Sequence, residues 1–293
     1  MINSTIKNQH DNVIQLWNGR QIGFAEYGHP QGQPVLYFHG FPGSRLEIEP
    51  FHDIALTQAI RIISIDRPGM GLSTLDKDRT LLSWADDIIE FTDILQLKSF
   101  SIIGHSGGAP FVAACAFSIP EKINTAVIVS GMAPFDNPDS HVGMASAQLK
   151  ANKLIKKMPW LAYPIMWLNK KMLQSPKMLE KMIQQLPAVD QLFFQDEKKR
   201  AAIVNNVLEA FRNGVIGPAQ EMQLLLTKTW GFQLDEIRCP VIIWQGSIDT
   251  QVPISHAKIY ANLIQNAQLN LIENEGHHSL INNHMFEILE SLK

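Results

Sequence analysis

Short apolar runs alternate with longer segments of helical periodicity over most of the 293 residues. Residues 13–17 and 21–27 read as strands, and Asn18-Gly19 between them is a hairpin-turn dipeptide. Residues 35–38 and 61–65 are apolar enough for buried strands, and a helix is expected over 48–59. Between 81 and 97, Trp84, Ile88, Phe91 and Leu95 recur at helical spacing, with Asp86, Asp87, Glu90 and Asp93 turned elsewhere. The alternation continues through Ser101-Ile102-Ile103, the helix-like run from Ala109, and a strand over 125–130. It returns with strands over 239–244 and 267–273. This pattern predicts an α/β fold: a mostly parallel sheet with right-handed crossovers, helices on both faces, and a site at the carboxyl ends of the strands.

The alternation stops near Pro134 and resumes near Cys239. Residues 135–232 are helical in character and rich in Met, Leu, Lys and Gln. They are expected to form a helical cap over the site, inserted into a core made of residues 1–134 and 233–293. Pro159, Pro164, Pro176, Pro187 and Pro218 should divide the insert into short helices. Residues 150–181 hold eight lysines against one acidic residue, Glu180. That is a local charge of +7, which leaves −10 for the rest of a chain with net charge −3. Ala151, Leu154, Ile155 and Met158 share one helical face, and Lys150, Lys153 and Lys157 point away from it. Trp160, Met166 and Trp167 follow and are expected to give a substrate cleft its apolar lining. The lysines read as a solvated face. Their alternative reading is a weak contact with an anionic membrane surface.

Composition narrows the function class. At 45% hydrophobic residues the chain has material for a large soluble core, and the small net charge gives no reason to expect nucleic acid as a partner. Cys115 and Cys239 fall in apolar runs and read as small buried hydrophobes, not as a disulfide framework. No Cys/His cluster has metal-ligand spacing. The segment Met1 to Asp11 has no apolar stretch of signal-peptide type, and no run is long enough to span a bilayer, so a soluble, cytoplasmic protein is expected.

The chemistry centres on Gly104-His105-Ser106-Gly107-Gly108, set between a strand and a helix. In that context the pentapeptide reads as a nucleophile elbow, with Ser106 on a sharp turn at the start of a helix whose N-terminus favours negative charge. A serine nucleophile needs a base, an orienter for that base, and donors for an oxyanion. Asp249 and His277 each follow a predicted strand, so the order along the chain is Ser, Asp, His. Asp136, after the strand ending at Ser130, is a rival acid, and His278 is a rival base. The oxyanion donors should be the backbone N–H groups of Gly107 and of Phe41, the latter in His39-Gly40-Phe41-Pro42-Gly43-Ser44. His39 and His105 stand beside the site as candidate substrate-binding residues that more naturally order their loops. Asp66 and Arg67 read as a structural pair tying down the turn at Pro68-Gly69-Met70-Gly71. His10, His29, His52, His141, His256 and His284 read as solvated.

Together, His39-Gly40-Phe41-Pro42-Gly43, Asp66-Arg67-Pro68-Gly69-Met70-Gly71-Leu72-Ser73, the Ser106 pentapeptide, Asp249 followed by Val252-Pro253, and Gly276-His277 span nearly the whole chain. In this set the chain resembles the capped serine hydrolases of the α/β-hydrolase fold. The resemblance implies an eight-stranded sheet and a Ser106-His277-Asp249 triad that cleaves small, largely apolar carboxylic esters through an acyl-enzyme, without a cofactor. It leaves open acyl transfer, carbon–carbon bond hydrolysis, peptidase action and a non-catalytic ligand-binding protein on the same frame.

Overall fold

The computed structural model describes residues 10–293, so residues 1–9 of the N-terminal segment lie outside the described residues. The strands are β1 (Asn12–Gln15), β2 (Gln21–Gly28), β3 (Gln33–Phe38), β4 (Ile60–Ile65), β5 (Phe100–His105), β6 (Ile123–Val129), β7 (Val241–Gly246) and β8 (Ala267–Ile272). The helices of the sheet region are α1 (His52–Thr57), α2 (Leu81–Ile94) and α3 (Ala109–Ser118). Between β6 and β7 come α4 (Ser146–Lys157), α5 (Ala162–Leu173), α6 (Pro176–Ile183), α7 (Ala188–Gln195), α8 (Glu197–Ala210) and α9 (Ile216–Thr227). Finally α10 (Ile254–Leu263) precedes β8 and α11 (His277–Glu290) follows it.

The eight strands form one sheet in the order β1-β2-β4-β3-β5-β6-β7-β8. Pairing is antiparallel from β1 to β2 and from β2 to β4, and parallel from there to β8. The central strands are buried on both sides, so alternate residues feed two cores. Leu36, Phe38, Ile63 and Ile102 pack with Trp84, Phe91 and Phe111 on one face. Val35, Tyr37, Ile62 and Ile103 pack with Ala55, Met285 and Leu289 on the other. The apolar stripe expected on α2 faces the first core, with Leu81, Trp84, Ile88 and Phe91 buried.

Two of these expectations need correction. The helix over 48–59 is broken: a 3-10 turn at Glu49–Phe51 leads into the short α1. Asp87, which the pattern turns away from the apolar stripe, is only 6% exposed because it pairs with Arg20 (Nη1 to Oδ2, 2.8 Å). His256 is buried; its Nδ1 accepts from the Ala133 N–H at 2.9 Å, and burial holds its pKa down to about 4.

Each proline of the insert sits at or near the start of a helix or turn, where its missing N–H is least costly. Pro159 opens the 3-10 turn before α5 and Pro176 opens α6. Pro187 immediately precedes α7, and Pro164 and Pro218 fall in the first turns of α5 and α9. Helix α9 belongs to two bodies. Its Leu224 and Leu225 join the first sheet core, while its Ala219 packs with Ala162, Met166 and Phe211 of the insert. Glu221 on α9 is fully buried and accepts from Arg67 Nε at 2.9 Å and from Arg79 Nη1 at 3.2 Å.

Candidate functional site

Ser106 directly follows β5 and begins a 3-10 turn, Ser106–Gly108, that runs into α3. Its φ is +53°, a conformation that costs a non-glycine residue about 1–3 kcal/mol and that surrounding packing must enforce. That packing depends on missing side chains. A Cβ on Gly108 would lie 2.1 Å from the Phe38 carbonyl oxygen, and one on Gly104 would lie 2.6 Å from Val112. Strand, turn and helix therefore approach more closely than any other residue would permit. A Cβ on Gly107 would meet Phe41 at 2.5 Å, so Gly107 and Phe41 lie side by side next to Ser106.

His277 is the first residue of α11 and not part of a free loop. Its Nδ1 lies 2.7 Å from Asp249 Oδ2. The other oxygen of Asp249 accepts the Gln251 and Val252 N–H groups at 2.8 and 2.9 Å. Burial opposes the charge on Asp249, yet His277 and these N–H groups hold its pKa below the usual aspartate value. Burial likewise opposes a charged His277, and Asp249 more than offsets it, so the imidazole is raised above 6.5. With Nδ1–H given to Asp249, Nε2 is left as the basic nitrogen. The rivals fall away on geometry. Asp136 is exposed in the turn after β6. His278 Nε2 accepts from Gln251 Nε2 at 3.0 Å, its ring packs on Phe193 and Phe194, and burial depresses its pKa to about 3.

The histidine is positioned by a residue that sequence reasoning missed. Asp190, on α7 of the insert, is fully buried at the N-terminus of α11. Its carboxylate accepts from the N–H groups of His277 (2.9 Å), His278 (3.0 Å) and Ser279 (2.8 Å). A helix start leaves such donors unpaired and favours a negative partner. Gly276 serves this contact. Its φ is −98°, so it is not needed for a left-handed turn, but a Cβ there would fall 2.4 Å from Asp190 Oδ2.

Glu47 is the second missed residue. It accepts from Tyr37 Oη (2.8 Å), the Gly40 N–H (2.8 Å) and Asn206 Nδ2 (3.3 Å), and it pairs with His105 Nδ1 at 2.6 Å. Burial works against its charge, but His105, His39 and the Tyr37 hydroxyl draw its pKa down to about 2. Neither acid had a local signal. Glu47 sits in an ordinary mixed stretch, Arg45-Leu46-Glu47-Ile48-Glu49, and Asp190 in an ordinary helix.

His39 is fully buried and orders its loop: Nδ1–H donates to the Gly40 carbonyl at 2.8 Å, and Nε2 accepts from the Arg67 N–H at 3.2 Å. Burial and the neighbouring Arg67 charge depress its pKa to about 3. Arg67 donates to the carbonyls of His39 and Gly40, the latter at 3.0 Å, and Asp66 accepts from the Arg45 N–H at 2.7 Å and the Leu72 N–H at 2.8 Å. Both act as braces.

Ser106, His105, His277, His278 and Phe41 line a cavity of about 880 Å³ whose other wall is the insert. Leu179, Met182, Phe193, Phe194, Ile203 and Val207 make that wall largely apolar, with Asn206 and Lys199 among its polar groups; Gln251 lines the opposite side. Trp160, Met166 and Trp167 are not in it. Met166 is buried between α5 and α9, and the two tryptophans point outward, 59% and 56% exposed. The apolar lining comes instead mainly from α6, α7 and α8, with Leu173 at the end of α5. Among the described residues, no group of three or more His, Cys, Asp or Glu is placed to hold a metal ion.

The family model for the alpha/beta hydrolase fold matches residues 33–284. The chain belongs to the α/β-hydrolase fold family. Similar members include a Bacillus subtilis (strain 168) protein named as the uncharacterized hydrolase YcgS, 25% identical over 255 residues, which cover 84% of this chain and 85% of that one. The solved structure of an esterase from Exiguobacterium antarcticum superposes with a TM-score of 0.71 at 20% identity, covering 95% and 97% of the two chains. A bromoperoxidase from Bacillus anthracis reaches 0.72 at 19% identity, covering 100% and 97%. Two differently named activities on one frame show that the α/β-hydrolase fold, not the chemistry, is what these neighbours share. Hydrolase is the activity class that the names of the sequence relatives support. No helix among the described residues is long and apolar enough to cross a membrane.

Proposed function

We propose that this protein is a serine hydrolase cleaving carboxylic esters of small, largely apolar substrates, with residues 135–232 acting as the lid of its active site. The observation that carries the reading is the 2.7 Å bond between His277 and Asp249, in a cavity that also exposes Ser106 at a strained φ of +53°. Ser106 Oγ attacks the ester carbonyl as His277 Nε2 takes its proton. Asp249 fixes the imidazole and stabilises it once charged. The Phe41 and Gly107 N–H groups receive the negative charge that develops on the carbonyl oxygen. His277 then protonates the departing alcohol. Water, activated by the same nitrogen, releases the acid and restores Ser106.

The apolar wall favours substrates with hydrocarbon acyl or alcohol parts, at about 0.8 kcal/mol per buried CH₂. A free α-amine finds little to hold it, because Glu47, Asp190 and Asp249 already carry their own partners. The test is a panel of chromogenic esters of rising acyl length, run beside fluorophosphonate labelling of wild type and Ser106→Ala. Turnover that rises with acyl length, and a label lost in the variant, would support the reading. A label persisting on another serine, tight ligand binding without product, or a preference for amino-acyl amides would refute it.

A further inference from the structure

The insert presents an outer surface that the cavity chemistry does not use. Helices α4 and α5 both back onto α9: Ile155 packs with Leu226, and Ala162 and Met166 pack with Ala219. Their other sides therefore point away from α9. On α5, Pro164, Trp167, Leu168 and Lys171 recur at helical spacing along one exposed stripe. Trp160 stands at its head in the turn joining the two helices. On α4, Leu154 and the lysines at 150, 153 and 157 are exposed. Trp160, Trp167 and Leu168 are 59%, 56% and 48% exposed, large apolar areas to leave in water. Among the described residues, Lys150, Lys153, Lys157 and Lys171 take part in no ion pair, and the acidic residue of this stretch is Glu180 alone. The opposite side of α5 contributes Asn169 and Leu173 to the cavity wall.

We infer that this α4–α5 face docks on an anionic lipid surface, with Trp160, Trp167 and Leu168 entering the headgroup region and the lysines meeting its charge. Interfacial helices use the same combination: tryptophan and leucine on the buried side, lysine at the margin. A second copy of this chain is a poorer occupant, since two such faces would bring two lysine clusters together. The inference stands on the surface alone and does not depend on the chemistry proposed for the cavity.

The test is co-sedimentation of the full chain with vesicles of phosphatidylcholine alone and with vesicles containing one-third phosphatidylglycerol, with tryptophan emission recorded in parallel. Binding with a blue shift is expected for the anionic vesicles, with little for the neutral ones. It should weaken as salt rises from about 0.01 to about 1 M, where the screening length falls from about 30 to about 3 Å. Each lysine near such a surface contributes about fivefold, so Lys150→Glu/Lys153→Glu/Lys157→Glu should cut partitioning by at least about 100-fold. Trp160→Ser/Trp167→Ser should lose the emission shift; all five positions are exposed, so both variants should melt like wild type. Equal binding to both vesicle types, no binding at low salt, or binding untouched by either variant would overturn the inference. So would a dimer in sedimentation velocity that Trp160→Ser/Trp167→Ser abolishes while vesicles remain unbound.

Discussion

Asp190 caps the helix that begins with His277, accepting its N–H at 2.9 Å across 87 positions of sequence. The candidate base is thus held from two sides, by Asp249 on the ring and by an acid of the insert on the backbone. Asp190→Ala should lower stability by about 1–2 kcal/mol, the usual cost of losing a cap, and should reduce ester turnover. Asp190→Asn keeps an acceptor at the helix start and should recover most of both. Gly276→Ala should mimic Asp190→Ala, because its methyl group would displace the carboxylate. Thermal melts and kcat measured together check this. Turnover unchanged in Asp190→Ala would reduce the contact to simple scaffolding.

Asp249→Asn should lower kcat by about 10⁴, the precedent for an imidazole deprived of its orienting carboxylate, while Asp136→Asn should stay near wild type. The pH profile gives a second reading. His277 must be neutral to take a proton, and Asp249 raises its pKa above 6.5. The acid limb of kcat/KM should therefore lie above 6.5 and move down in the residual activity of Asp249→Asn. A more damaging Asp136→Asn would transfer the acid to the turn after β6.

His277→Ala should be inactive, whereas His278→Ala should keep most of its activity. His278 packs against Phe193 and Phe194, and among the described residues no acid pairs with its ring. Its loss should therefore appear as weaker substrate binding more than as slower chemistry. Steady-state KM and kcat separate the two effects, and the reverse ranking would move the base by one residue.

Glu47→Gln addresses the acid beneath the Phe41 loop. Its pKa falls from 4.5 to about 2 on folding. A depressed acid contributes stability that is fully present above its unfolded value and is lost as pH falls through its folded one. The melting temperature of wild type should thus exceed that of Glu47→Gln at pH 7, and the gap should shrink as pH drops from 4.5 towards 2. A gap independent of pH would show that Glu47 acts through shape alone.

What could be read from the sequence was local. The Ser106 turn, the strand preceding Asp249 and the two Gly-rich loops each carry their signal within a few residues, and the alternation of runs specified the sheet. What could not be read was partnership across distance. Glu47, Asp190 and Glu221 look like ordinary surface acids until the fold surrounds each with donors. Trp160 and Trp167 were misplaced for a related reason. Periodicity shows that a helix has an apolar side, not which neighbour it meets, and here Trp167 on α5 and Trp160 in the turn before it both face outward.

The buried contact of Glu221 with Arg67 and Arg79 bears on how the cavity could open. Lifting α9 would strand two guanidinium groups in the interior, and breaking a buried pair in this way costs about 3–5 kcal/mol. The same holds for the end of α8, where Glu209 pairs with the buried Arg45 at 2.6 Å and Asn206 accepts the Ser44 N–H at 2.8 Å. An opening movement would therefore fall on α6 and α7, and lifting α7 would pull Asp190 off the start of α11, so that a gaping cavity and a fully seated His277 become mutually exclusive states.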